Sequence, residues 1–120
     1  MKLTTLALGS VVLLGAAATS QAADLAAGKA VWEKLNCASC HGADGVKSVD
    51  PSYPILAGQH ADFLTQALRS YQRGASGAPA SANVRKNAIM GAFAKQLSKQ
   101  DVENVSAWLA AQPSPLAVRR

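Results

Sequence analysis

The chain has 120 residues, room for one small domain. Apolar residues make up 49% and charged residues 16%, which excludes a disordered polyelectrolyte, and two cysteines exclude a disulfide-dense scaffold. The formal net charge is +5, but Lys2 lies in a leader-like segment and Arg119 and Arg120 in a terminal tail; without these three, nine basic residues face seven acidic ones, and no Lys/Arg-rich run points to nucleic acid.

Residues 1–23 read as a cleaved signal peptide. Lys2 supplies the positive start, Leu6–Ala18 an apolar stretch, and Ser20-Gln21-Ala22 a small-x-small cleavage pattern. The alternative is an uncleaved membrane anchor. It is disfavoured because the stretch is shorter than the ~20 apolar residues of a spanning helix, and Thr4, Thr5, Ser10 and Thr19 dilute it. Cleavage after Ala22 or Ala23 would start the mature chain near Asp24. Export implies an oxidising compartment, most simply a bacterial periplasm, with no stable membrane anchor.

Three helices are expected in the mature chain. The first spans about Asp24 to Leu35, with Asp24 as N-cap and Leu25, Gly28, Val31, Trp32 and Leu35 on one face. The second spans about His60 to Arg73, carried by Phe63, Leu64, Ala67, Leu68 and Tyr71, with Gly74 as its stop. The third spans about Lys99 to Ala111. Ser98 and Asp101 form its capping box, Val102, Val105, Trp108 and Leu109 its stripe, and Pro113 ends it. Gly42–Tyr53 and Gly74–Asn83 read as loops, and Asn87–Ala94 as a loop with a short helical turn. Residues 113–120 read as a flexible tail, leaving 24–112 as the folded domain. No run alternates as a strand does, so the fold is all-α. With six aromatic residues in all, such a core needs a staple or a cofactor.

Cys37-Ala38-Ser39-Cys40-His41 supplies the chemistry. C-x-x-C-H is the attachment signature of a c-type haem: two thiols three positions apart reach the two vinyl groups of one porphyrin, and the next residue presents an imidazole to the iron. A thioredoxin-like dithiol would need a βαβ context. A zinc site would need further ligands, and the only other histidine is His60, which reads as an exposed residue at a helix start. A disulfide across this spacing would be strained. Met90, the one methionine of the mature chain, is on the residues alone either a sixth iron ligand or a core filler.

The mature chain resembles the class I cytochrome c family, in particular its small monohaem periplasmic members. Gly28 and Trp32 match the family's first-helix pair, which crosses the last helix near Val105, Trp108 and Leu109. Cys37, Cys40 and His41 match the haem motif, Pro54-Ile55-Leu56-Ala57-Gly58 a P-x-L-x-G segment, and Met90 the axial methionine. The resemblance implies short helices and long loops wrapped around one covalent haem c. Cys37 and Cys40 would hold its edge, and His41 and Met90 its iron. The carbonyl of Pro54 would accept the proximal imidazole N–H, and Leu56 would pack on the ring. Tyr53, Tyr71, Arg85 and Asn87 would lie near the propionates or the methionine segment. Leu56, Phe63, Leu64, Leu68, Leu97 and Trp108 would form an apolar shell. The exposed edge would run past Ala38, Ser39, Val46 and Gly91–Phe93, with Lys47, Lys86 and Lys95 as rim charges.

With both axial positions filled, the implied function is electron transfer rather than catalysis. The partners would be redox proteins, including a dehydrogenase as donor or a terminal oxidase as acceptor. A haem subunit of a larger dehydrogenase or oxidase complex is the second reading. An open-iron enzyme or gas sensor, which requires Met90 not to bind, is the third.

Overall fold

A computed structural model describes residues 22–116. The leader expected over residues 1–23 lies almost wholly outside the described residues, as does the end of the tail. Helix α1, Leu25–Lys34, begins where the Asp24 carboxylate accepts the Ala27 amide at 3.0 Å. It buries Gly28 and Trp32, which are four residues apart and so share one face. The chain then reverses at Asn36, whose φ of 50° is the left-handed conformation asparagine tolerates, and enters the four-residue α2, Ala38–His41.

Helix α3, Ala61–Ala75, carries Asp62 in its first turn and Arg73 in its last, both favourable to the helix dipole. It runs past Gly74 and stops at Ser76, followed by Gly77 at φ 79°. Gly74 is therefore not the stop expected from sequence. A Cβ there would lie 2.9 Å from the Arg85 carbonyl carbon, so this glycine lets a later segment lie against the helix. A 3₁₀ turn at Ala80–Ala82 leads to that segment.

Helix α4, Ala88–Ala94, is a seven-residue helix rather than a loop with a turn, and Met90 stands on it. Asn87 caps it, accepting the Met90 amide at 2.9 Å. Helix α5, Lys99–Ala110, opens on the expected capping box: Ser98 Oγ accepts the Asp101 amide at 3.1 Å, and Asp101 Oδ2 accepts the Ser98 amide at 3.0 Å.

Helix α5 is the central strut, packing on α1 and α3, while α4 packs on α3. At the α1–α5 crossing, a Cβ on Gly28 would lie 2.7 Å from the Trp108 Cβ and closer still to the Asn104 carbonyl oxygen. Beside it the rings of Trp32 and Trp108 stack at 5.5 Å, tilted by 44°. The backbone N–H of Asp24 donates to Asn104 Oδ1 at 2.9 Å, fixing the start of α1 on α5. Trp32, Leu64, Val105 and Leu109 form the buried core. Among the described residues there is no strand, and no helix is long and apolar enough to cross a membrane.

Candidate haem site

The turn Cys37–His41 is built by the end of α1. Cys37 N donates to Trp32 O at 3.1 Å and His41 N to Cys37 O at 3.1 Å, so the two thiols and the imidazole are fixed on one short helical turn. Both cysteines are half-buried unpaired thiols. Burial pushes the Cys37 thiol above its ordinary value, and Cys40 adds to the rise.

His41 is only 6% exposed. Its Nδ1 lies 3.2 Å from the Pro54 carbonyl oxygen. A carbonyl only accepts, so Nδ1 carries the proton and Nε2 keeps its lone pair. Burial holds the imidazole below its ordinary value, against the opposing pull of the Pro54 bond, which favours the neutral, ligand-competent ring. Pro54 is itself held by its neighbours. The amides of Leu56 and Ala57 donate to Gly45 O at 2.8 and 3.1 Å, and that of Gly58 to Leu109 O at 2.9 Å. The P-x-L-x-G segment is thus stitched to α5.

A cavity of about 510 Å³ opens beside this turn, within the range of cofactor sites. Cys37, Cys40, His41, Pro54, Leu56, Tyr71, Arg85 and Met90 all line it, as do Tyr53, Asn87 and the expected shell residues Phe63, Leu64, Leu68 and Leu97. The guanidinium of Arg85 lies 5.5 Å from the Phe63 ring centre and 5.7 Å from that of Tyr71, so cation–π contacts hold it at the wall. Its backbone is tied to α3 by Arg85 N to Ser70 O at 3.0 Å.

One expectation needs correction. Trp108 is not on the cavity wall; it packs behind Trp32, which lines the cavity in its place. Of the expected edge residues, Ser39 and Phe93 line the cavity, whereas Ala38, Val46, Gly91, Ala92, Lys47, Lys86 and Lys95 do not. The three lysines are exposed. Sequence reasoning assigned Trp32 only to the helix crossing, although its place five residues before Cys37 was a signal. Its buried indole N–H has no partner among the described residues. His60 stands exposed at the start of α3 and outside the cavity, as expected.

The donor set fits a haem c. Two thiols, an imidazole with Nε2 free, a thioether, apolar walls and one guanidinium converge on one cavity.

A family model for cytochrome c matches residues 25–112. Cytochrome c-554(548) of Halomonas halodenitrificans is 34% identical over 95 residues, 76% of this chain and 99% of that protein. The thiosulfate dehydrogenase electron acceptor of Stutzerimonas stutzeri is 35% identical over 81 residues, 68% of this chain and 33% of that protein. Cytochrome c4 of Azotobacter vinelandii is 32% identical over 73 residues, 61% of this chain and 32% of that protein. The chain thus spans about a third of the length of these last two relatives. The crystal structure of reduced recombinant cytochrome c4 from Pseudomonas stutzeri is similar with a TM-score of 0.66 and 35% identity, over 78% of this chain and 47% of that one. An all-helical fold, a C-x-x-C-H turn on the cavity wall and matches spanning residues 25–112 agree: the chain belongs to the cytochrome c family.

Proposed function

We propose that this chain is a periplasmic carrier of single electrons that holds one haem c in the 510 Å³ cavity. One observation carries the reading: the neutral imidazole of His41, fixed by Pro54, and the thioether of Met90 share that cavity with both thiols of the only C-x-x-C-H in the chain. A haem bound there supplies an iron that alternates between ferric and ferrous states. Cys37 and Cys40 would hold the macrocycle through thioether bonds. His41, through Nε2, and Met90 would hold the iron from the protein side and leave it no site for a substrate, which fits a carrier rather than an enzyme. Leu56, Leu64, Leu68 and Leu97 exclude water. A dry surround disfavours added positive charge, so these walls and the thioether ligand both favour the reduced form. Arg85 and Tyr71, both on the cavity wall, would offer a cation and a hydroxyl to the carboxylates of a haem.

Relatives named as the electron acceptor of thiosulfate dehydrogenase support a dehydrogenase as the donor here; the acceptor would be a terminal oxidase or another redox protein. The same names favour, as second reading, a dedicated cytochrome subunit of such an enzyme. The leader expected over residues 1–23, cleaved near Asp24, supports the periplasm as the compartment.

The test is the absorption spectrum of the haem-loaded, secreted protein: oxidised, reduced, and reduced under carbon monoxide. A low-spin spectrum with a sulfur-to-iron band and no response to carbon monoxide is expected. A high-spin spectrum, or ready carbon monoxide binding, would overturn the carrier reading. Stable co-purification with a dehydrogenase would favour the subunit over the free carrier.

A further inference from the structure

Helix α4, which bears Met90, is the least supported of the long-range elements. Its main packing partner is α3, whereas α1, α3 and α5 brace one another through α5. At its start, Asn87 holds the Met90 amide. In its middle, Gly91 packs close to Ala75, where a Cβ would lie 3.1 Å from the Ala75 Cβ. At its end stands Gln72 of α3. The half-buried Gln72 amide donates from Nε2 to the Ala94 carbonyl and to the Leu97 carbonyl, both at 2.9 Å. Ala94 is the last residue of α4 and Leu97 stands in the turn that follows it, where the Leu97 amide also donates to the Ala94 carbonyl at 3.1 Å, so Gln72 ties the end of the helix and its exit turn together. Gln72 does not line the cavity, so it touches nothing bound there. Its neighbours have other tasks: Tyr71 faces the cavity, and Arg73 holds Asn83 O at 2.9 Å.

We propose that Gln72 is a positioning residue for Met90. Its two N–H donors latch the C-terminal end of α4 onto α3 and so fix where the thioether stands. The inference rests on the reading of Met90 as an iron ligand. Without the latch, α4 leaves α3 more often while the α1–α3–α5 frame stays closed, which is local rather than global opening. Each opening uncovers the iron to an external ligand, so the latch sets how readily one enters.

The experiment titrates the ferric, haem-loaded protein with imidazole and follows loss of the sulfur-to-iron band. Gln72→Glu keeps the shape of the side chain but loses both donors at neutral pH. It is expected to bind imidazole about tenfold more tightly than wild type, the weight of roughly one net hydrogen bond. Gln72→Asn, an amide too short to reach both carbonyls, is expected to move the same way by less. The comparison is Arg69→Met, also on α3, which removes the 2.8 Å ion pair to Glu103 on α5 and is expected to leave imidazole affinity unchanged. Equal affinity gains in the Gln72 and Arg69 variants would mean general loosening and overturn the proposal. A wild-type affinity in both Gln72 variants would overturn it too, with Met90 ligation intact. A wild-type spectrum lacking the sulfur-to-iron band would defeat the ligation reading itself, and the proposal with it.

Discussion

Ser98 and Asp101 show how one residue pair starts a helix and ties it to pH. The Ser98 hydroxyl and then its backbone N–H hold the Asp101 carboxyl below its ordinary value. A folded-state value below the unfolded one adds stability that is fully present above the ordinary carboxylate range. That stability is lost as the pH falls through the depressed folded value. Ser98→Ala is expected to cost about 1 kcal/mol at pH 7, read as a lower urea midpoint. The gap between wild type and Asp101→Asn should narrow as the pH falls below about 4. A constant gap down to pH 3 would show that the carboxylate charge contributes nothing to the cap. This pair was legible in sequence because capping acts over three residues. The His41–Pro54 bond was legible only through family resemblance, since no local rule links a histidine to a carbonyl thirteen residues on.

At the scale of elements, two glycines separate packing from backbone strain. Gly28 sits at the α1–α5 crossing, where a Cβ would meet the backbone of Asn104 and the Cβ of Trp108, neither of which yields cheaply. Gly77 has a φ of 79° and open space around it. Gly28→Ala is therefore expected to cost roughly 3 kcal/mol by forcing the helices apart, and Gly77→Ala only about 1 kcal/mol of left-handed strain. Thermal unfolding of the two holoproteins checks the order, and equal losses would refute the crossing argument. Helix α1, the body of α3 and α5 were readable from apolar spacing and caps. Gly74 misled, because a glycine near a helix end reads the same whether it stops the helix or admits a neighbour. Helix α4 is short and weakly periodic, so its helicity comes from the Asn87 cap and from packing on α3 rather than from pattern.

At the scale of the whole molecule, seven hydrophobic residues are buried among the described residues, and two of these are alanines. Most other large apolar side chains, including Leu56, Leu68, Phe93 and Leu97, turn toward the cavity instead. Without a bound group those side chains face water or collapse together, and neither offsets the entropy of ordering the chain. A Cys37→Ala/Cys40→Ala/His41→Ala chain is expected to lose cooperative thermal unfolding and its near-ultraviolet dichroism while retaining part of its helix signal. A sharp, native-like transition in that variant would show that the helices suffice alone. The thin core was visible in composition. The cavity that accounts for it was not, because its wall is drawn from nearly every described element.

The bond between the Asp24 amide and Asn104 joins residues eighty positions apart, and it has a consequence for the order of events in a newly made chain. Helix α1 lacks its main packing partner, α5, until the last helix has emerged, and contacts this distant in sequence form late. Cys37 and Cys40 are thus presented on an open chain for the interval in which residues 42–110 follow. A group that joins both thiols would reach them most easily in that interval, before α1 closes on α5.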